Sequence, residues 1–100
     1  MAGIAIDEER AGHIFREADG HFGEDTVANR QVLIDAATQP ENFLGVDRFG
    51  NGWFVEMRAD GTQIWAQVRD GKITNGGVNM TPRAFDFADL SAAPLPDEAP

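Results

Sequence analysis

Two Asp-Gly dipeptides constrain the fold of this chain more than any other feature. Asp60-Gly61 and Asp70-Gly71 are each flanked by β-forming residues. An Asp-Gly pair readily adopts the positive φ angles that a two-residue hairpin turn requires. The pattern therefore predicts antiparallel strands joined by tight turns, at residues 53–57, 62–69 and 72–74. The Gly76-Gly77 pair is expected to break the last strand.

The middle strand alternates between two kinds of side chain, and successive side chains of a strand point to opposite faces of its sheet. One set is apolar and suits a buried face: Ile64, Ala66 and Val68. The other set is polar, with one aromatic and one cation: Gln63, Trp65, Gln67 and Arg69. We expect the second face to remain open and to serve as the functional surface.

Two helices are predicted before the strands. Residues 7–18 begin with a capping Asp7 and end at Asp19-Gly20, and their apolar residues recur at helical spacing. Residues 25–38 form the second helix. It ends before Pro40, because proline disfavours helical backbone in the residue that precedes it.

The predicted fold class is α+β. Both helices are expected to pack on one face of a three- to four-stranded antiparallel sheet, a meander. Such a sheet can leave its other face open to solvent. Residues 1–90 form the single predicted domain, and residues 91–100 are an acidic, proline-rich tail that is expected to be disordered.

Composition excludes several classes of protein. The 100 residues include no cysteine, so a disulfide framework and a thiolate site are both impossible. No apolar run approaches the roughly 20 residues of a membrane span, and the first six residues lack the features of a signal peptide. Two histidines and scattered carboxylates offer no metal-ligand spacing, so neither a metal nor another cofactor is expected.

The net charge of −9 is unevenly distributed. Residues 1–47 hold ten acids against three arginines, and residues 84–100 hold four acids and no cation. Residues 48–83 hold five cations against three acids, a net charge of +2. A phosphate-bearing partner would therefore meet the strand region, whereas a protein partner would find its natural surface on the acidic helical side.

Six short motifs, taken in order, resemble a known family. They are His13-Ile-Phe-Arg, Gly20-His21-Phe, Asp25-Thr26-x-x-Asn29-Arg30, Asn42-x-x-Gly45-x-Asp47-x-x-Gly50-Asn-x-Trp53, Gly61-Thr-Gln-Ile-Trp65 and Asn75-Gly-Gly-Val-Asn79. Their order and spacing are similar to those of C-terminal toxin domains of bacterial polymorphic and contact-dependent inhibition toxins. Those domains belong to the barnase–EndoU–colicin–RelE ribonuclease superfamily. The resemblance covers residues 10–83.

This resemblance implies a metal-independent endoribonuclease domain of two helices and a four-stranded antiparallel sheet, acting on the open sheet face. Its expected substrate is RNA, with transfer RNA as the first choice, and its expected partner is a cognate immunity protein or another protein. It would act in the cytoplasm, including that of a target cell into which it is delivered, without membrane association. The acidic charge favours a second hypothesis, a non-catalytic module of the same fold that binds or inhibits a protein, as phage-encoded or immunity-like proteins do.

Three residues are the candidates for catalysis of RNA cleavage. The reaction needs a base for the 2′-hydroxyl, an acid for the departing 5′-oxygen and a donor to the charged phosphorane. Histidine suits either proton transfer near neutral pH, and the chain has only His13 and His21. Arg69 can fork onto a phosphate. Each residue also has a purely structural interpretation. His13 would be a half-buried helix residue, His21 a surface-loop residue and Arg69 a member of a local ion pair.

Five further residues are predicted to contact the substrate: Trp65, Gln67, Thr62, Lys72 and Asn79. The tryptophan would stack on a base, and the others would bind a phosphate or position a base. Backbone amides of residues 75–79 would also face an anion. The alternatives are sheet packing for the tryptophan, plain solvent exposure for the polar side chains and a positive-φ turn for Gly76-Gly77.

Overall fold

The computed structural model describes residues 3–83. In this part of the chain, five strands form one sheet in the order β1-β5-β4-β3-β2. The strands are β1 (Ala5–Ile6), β2 (Phe43–Val46), β3 (Gly52–Met57), β4 (Gln63–Arg69) and β5 (Lys72–Asn79). The helices are α1 (Ala11–Ile14), which follows a 3-10 turn at Glu8–Arg10, and α2 (Val27–Ala37).

The α+β class is confirmed, but the sheet is five-stranded and mixed, so the prediction of a purely antiparallel meander of three or four strands is wrong. Strands β2 to β5 do form an antiparallel meander. Strand β1 runs parallel to β5, with Ala5 beside Lys72 and Ile6 beside Ile73. Two residues are too short to show the alternation that marks a strand, so β1 had no signal in the sequence.

The two predicted turns differ in form. Asp70 and Gly71 both have positive φ, 54° and 78°, and are the two residues between β4 and β5, as predicted. Gly61 also has positive φ, but it lies in a longer loop, in which the Arg58 N–H donates to the Thr62 carbonyl over 2.9 Å. The connection between β3 and β4 is therefore wider than a two-residue turn.

Only the second predicted helix has its expected extent. Helix α2 starts after Thr26, whose hydroxyl oxygen accepts the Asn29 N–H. The first predicted helix is wrong beyond Ile14, because Phe15 takes an extended backbone and pairs with Phe22. The chain between α1 and α2, residues 15–26, instead passes across the sheet and is called the crossing segment below.

The predicted buried face is confirmed. Ile64 and Ala66 of β4 are buried in one core cluster together with Leu33 and Ala36 of α2. Ile14 of α1 belongs to the same cluster. Both helices thus contribute to a single core on this side of the sheet.

The opposite face is not open, so that prediction is wrong. Gln63, Trp65 and Gln67 are all buried, with Trp65 only 4% exposed. The Trp65 ring stacks on Trp53, with centroids 6.1 Å apart, and its indole N–H donates to the Gly20 carbonyl over 2.8 Å. The crossing segment and a second tryptophan therefore cover the surface that the alternation assigned to solvent.

The Gly76-Gly77 pair allows this covering and does not break β5. A Cβ atom at Gly77 would lie 1.8 Å from the Gly20 carbonyl oxygen, and one at Gly76 would lie 2.9 Å from the Trp65 carbonyl oxygen. Neither glycine has positive φ. Gly77 is thus required for the close approach of the crossing segment, and Gly76 for the close packing of β5 on β4 and on the Leu33 side chain, rather than for a turn.

A buried carboxylate holds the far side of the tryptophan pair. Asp47 accepts hydrogen bonds from the backbone N–H groups of Phe49 and Asn51, from the Asn51 amide and from the Trp53 indole. Burial alone would raise the pKa of Asp47, but the hydrogen bonds outweigh it and hold that pKa below its usual value. The charged carboxylate thereby fixes Trp53, on which Trp65 packs.

The predicted tail at residues 91–100 and the C-terminal limit of the predicted domain lie outside the described residues. Within residues 3–83, neither helix has the length and apolar character needed to cross a membrane.

Replacement of Gly77 tests the close approach. We expect Gly77→Ala to destabilise the fold by about 3 kcal/mol or to displace the crossing segment, because a methyl group cannot share the space of the Gly20 carbonyl. Gly12→Ala is the matched control, since no heavy atom lies within 4 Å of its added Cβ, and its effect should stay within about 1 kcal/mol. Urea denaturation followed by tryptophan fluorescence measures both, and equal stability of the two variants would contradict the packing described here.

Candidate active site

The crossing segment brings the two histidines together. The imidazole centroids of His13 and His21 are 6.1 Å apart, and the ring planes meet at 72°. The His21 ring also stands edge-on to Trp65, with centroids 5.5 Å apart. Both histidines line a cleft of about 260 Å³, called the histidine cleft, whose other lining residues are Arg16, Asp19, Gly20, Trp65, Gln67, Asn75, Asn79 and Arg83.

Hydrogen bonds set different tautomers on the two neutral rings. The His21 Nδ1 lies 2.9 Å from the Ile14 carbonyl oxygen, which can only accept, so Nδ1 carries the proton and Nε2 holds the lone pair. The Arg16 guanidinium lies 2.6 Å from the His13 Nδ1 and also donates to the His13 carbonyl. Since arginine can only donate, the His13 proton is on Nε2. In the neutral rings, Nε2 thus holds the lone pair in His21 and the proton in His13.

Both imidazoles resist protonation. Burial lowers the pKa of His21 below its ordinary value of 6.5, and the carbonyls of Ile14 and Gly76 offset this only in part. Partial burial, followed by the charge of Arg16, lowers the pKa of His13. At pH 7 the neutral form of each ring therefore predominates.

Arg69, the predicted charge-stabilising residue, is not among the residues that line the histidine cleft. It lines a neighbouring cleft of about 130 Å³, called the arginine cleft, together with Arg10, Asn51, Gln67, Thr74 and Asn75. Gln67 and Asn75 line both clefts and form the boundary between them. The two clefts are therefore adjacent parts of one groove.

Arg16 is the cation that contacts an imidazole, and the sequence analysis did not single it out. Residues three apart lie on one side of a helical turn, and this spacing between His13 and Arg16 is the signal that could have identified the pair.

Three of the five predicted substrate-binding residues line the histidine cleft: Trp65, Gln67 and Asn79. Thr62 does not, since its N–H and hydroxyl bind the Asp60 carboxylate in the β3–β4 loop. Lys72 is exposed at the start of β5 and lines neither cleft. Base stacking on Trp65 is also restricted, because one of its faces already packs on Trp53.

Asn79 carries an unsatisfied acceptor. Gln63 Oε1 accepts hydrogen bonds from the Arg83 N–H and from the Asn79 side-chain amide, which fixes the orientation of that amide. The Asn79 Oδ1 is left without a partner, the one buried side-chain polar atom in this condition among residues 3–83. Such an atom costs about 1–3 kcal/mol, which a donor from water or a ligand would recover.

Positive charge concentrates at the groove formed by the two clefts. Four of the eight lysine and arginine residues line it: Arg10, Arg16, Arg69 and Arg83. Asp19 is the single carboxylate that lines either cleft. Within the described part of the chain, no group of three or more histidine, aspartate or glutamate side chains is placed to hold a metal ion. The groove therefore offers imidazoles and arginines to an anionic ligand.

Comparison with family models, with curated proteins and with solved structures finds no match to this chain. The resemblance to ribonuclease toxin domains stays a prediction.

The lowered histidine pKa values predict a loss of stability in mild acid. Below about pH 6.5 the unfolded chain binds more protons than the folded one, so the stability that neutral His21 contributes above that pH declines as the pH falls. We expect His21→Asn to flatten this decline between about pH 7 and about pH 5, because the asparagine amide can still donate to the Ile14 carbonyl but does not titrate. His13→Asn, at a less buried position, should flatten it less. Urea midpoints over this range measure the effect, and parallel pH profiles for the wild type and His21→Asn would contradict it.

Proposed function

We propose that this chain is a metal-independent endoribonuclease domain that cleaves RNA in the histidine cleft. The observation that carries the proposal is the pair of imidazoles, 6.1 Å apart, with the Arg16 guanidinium bonded to one of them. Two imidazoles supply the base and the acid that the reaction requires, and an arginine supplies the donor for the charged phosphorane.

His21 is assigned as the general base. The lone pair on its Nε2 takes the proton of the ribose 2′-hydroxyl, and the 2′-oxygen attacks the adjacent phosphorus. The bond from phosphorus to the 5′-oxygen then breaks. His13 is the assigned general acid: in its protonated form Nδ1 no longer accepts from Arg16, which frees that guanidinium for the phosphorane, and Nε2 gives its proton to the departing oxygen. The products are a 2′,3′-cyclic phosphate and a 5′-hydroxyl. A general base and a general acid each accelerate such a reaction by about 10²–10⁴-fold.

Arg16 takes the charge-stabilising role that the sequence assigned to Arg69. Its guanidinium already lies 2.6 Å from the His13 ring, and arginine presents several donors to phosphate oxygens. Trp65 is a positioning residue, because its indole holds the Gly20 carbonyl and its ring contacts His21. This positioning role replaces the predicted role of Trp65 in stacking on a base.

A different observation favours the second candidate, a non-catalytic module that binds another protein. Strand β2 is at the edge of the sheet, and exposed apolar side chains lie on it and on the turn that follows. Phe43 is 47% exposed, Val46 59% and Phe49 48%. An edge strand can pair with a strand of a partner, and apolar side chains beside it would add contact area. An immunity protein or another protein partner would fit this surface.

Cleavage of total transfer RNA tests the first candidate. We expect purified protein to cleave it equally with and without EDTA and to leave 2′,3′-cyclic phosphate ends. His21→Asn and His13→Asn should each slow cleavage by about 100-fold or more, and Arg16→Gln by at least about tenfold. Arg58→Gln, which removes the same charge from the β3–β4 loop, is the matched control and should retain activity. Circular dichroism of each variant confirms that the fold is kept.

Intact RNA throughout, or equal cleavage by the wild type and the folded histidine variants, would overturn the nuclease assignment. Intact RNA together with binding of a protein that is lost in Val46→Lys would support the second candidate.

The pH dependence of cleavage tests the two-imidazole mechanism separately. It needs one neutral and one protonated imidazole, and both pKa values in the free protein are lowered from 6.5. Since kcat/KM reports the ionisation of the free enzyme, we expect a bell-shaped profile with its maximum below about pH 6.5. A profile that still rises above about pH 7 would contradict this pair as acid and base.

A further inference from the structure

The arginine cleft holds two cations that have no counter-charge in the described part of the chain. The guanidinium groups of Arg10 and Arg69 make no hydrogen bond or ion pair with residues 3–83. Arg30, by contrast, is bonded to both Glu8 and Asp25. The residues that line the arginine cleft include no carboxylate. Two arginines gathered in this way repel each other, and an anion between them would relieve the repulsion.

Gln67 adds an uncharged hydrogen-bonding group to the lining of the arginine cleft. It is only 7% exposed, yet its side-chain amide has no hydrogen-bond partner among residues 3–83. Asn79 Oδ1 is the one fully buried side-chain polar atom without a partner among residues 3–83, so the polar atoms of the Gln67 amide keep contact with the solvent of the clefts and can donate to a ligand there. This amide lines both clefts, so a ligand in either cleft can use it.

A bulge in β5 adds two more polar residues to the same cleft. The register shifts between Gln67 and Val68 of β4, so that Thr74 is the extra residue on β5. Regular alternation would send Thr74 and Asn75 to opposite faces of the sheet. Both line the arginine cleft, because a bulge re-aims the side chains around it.

We propose that the arginine cleft is a phosphate subsite, which holds the phosphate next to the scissile one in a single-stranded RNA of at least three nucleotides. This inference rests on the proposed function, since it takes the histidine cleft as the place of cleavage. Arg10 and Arg69 bind the phosphate oxygens, and the Gln67 amide donates from the boundary between the clefts. Arg69 is therefore a binding residue one nucleotide away from the chemistry.

Short substrates with one cleavable linkage test the subsite. The first substrate is an RNA dinucleotide. The other two are trinucleotides with a single ribose 2′-hydroxyl, and therefore a single cleavable linkage. One of them carries its extra phosphate on the 5′ side of that linkage, and the other carries it on the 3′ side. We expect one of the trinucleotides to have a kcat/KM at least about tenfold above that of the dinucleotide, as suits one added charged hydrogen-bonding group. Arg69→Gln and Arg10→Gln should remove most of that gain, and the matched control Arg58→Gln should keep it.

Binding of an all-2′-deoxy trinucleotide, which cannot be cleaved this way, gives a second readout. The slope of log affinity against log salt should fall by about 0.7 in Arg69→Gln, the value for one lost phosphate contact on a single strand. Inorganic phosphate is the probe for a small-anion site. If it binds as tightly as the trinucleotide and with the same dependence on Arg69, the assignment to a chain phosphate is overturned.

The two proposals fail in different ways. If RNA is cleaved but neither extension raises kcat/KM, or if Arg69→Gln and Arg58→Gln behave alike, the subsite is overturned and the ribonuclease assignment stands. If no RNA is cleaved but the deoxy trinucleotide binds in a manner that depends on Arg10 and Arg69, the ribonuclease assignment falls and the phosphate site is supported.

Discussion

The contact between the Gly20 carbonyl and the bare backbone of Gly77 decides where the crossing segment lies, and the rest of the site depends on it. A side chain at residue 77 would keep the segment away from the sheet. Without one, the carbonyl comes close enough to accept the Trp65 indole N–H, and His21 follows directly beside Trp65. The Asp47 carboxylate accepts the Trp53 indole N–H and so holds the ring on which Trp65 packs. The two histidines thus meet because residue 77 of β5 has no side chain.

The uneven distribution of charge on this protein limits where a polyanion could bind. A nucleic acid that bound this acidic protein would be attracted at the groove that four arginines line and repelled by the acidic surface elsewhere. Non-specific binding along a duplex would gain little from such a surface. A short flexible strand, which can enter the groove and leave the acidic surface in solvent, is the form of nucleic acid that suits it best.

Local signals in the sequence predicted much of the fold. The Asp70-Gly71 turn, helix α2 and the aliphatic face of β4 were correct, because each depends on neighbouring residues alone. Strand β1, the end of α1 at Ile14 and the covered tryptophan face were not predicted, since each depends on contacts between distant parts of the chain. The histidines were chosen by their chemistry, and the structure brings them together. Arg69 was chosen because it ends the polar row of β4, whereas Arg16 reaches the histidine cleft from the crossing segment.

The hydrogen bond from Trp65 to Gly20 joins residues that are 45 positions apart in the chain. Contacts of such separation are closed late in folding, whereas a hairpin such as β4–β5 can form within about 1–10 μs. We therefore expect the imidazole pair to assemble after this hairpin. A local opening around Gly20 would separate the two rings, because His21 lies on the crossing segment and His13 on α1. Such an opening would break the hydrogen bond of Trp65 and the imidazole pair together, while the β4–β5 hairpin could persist.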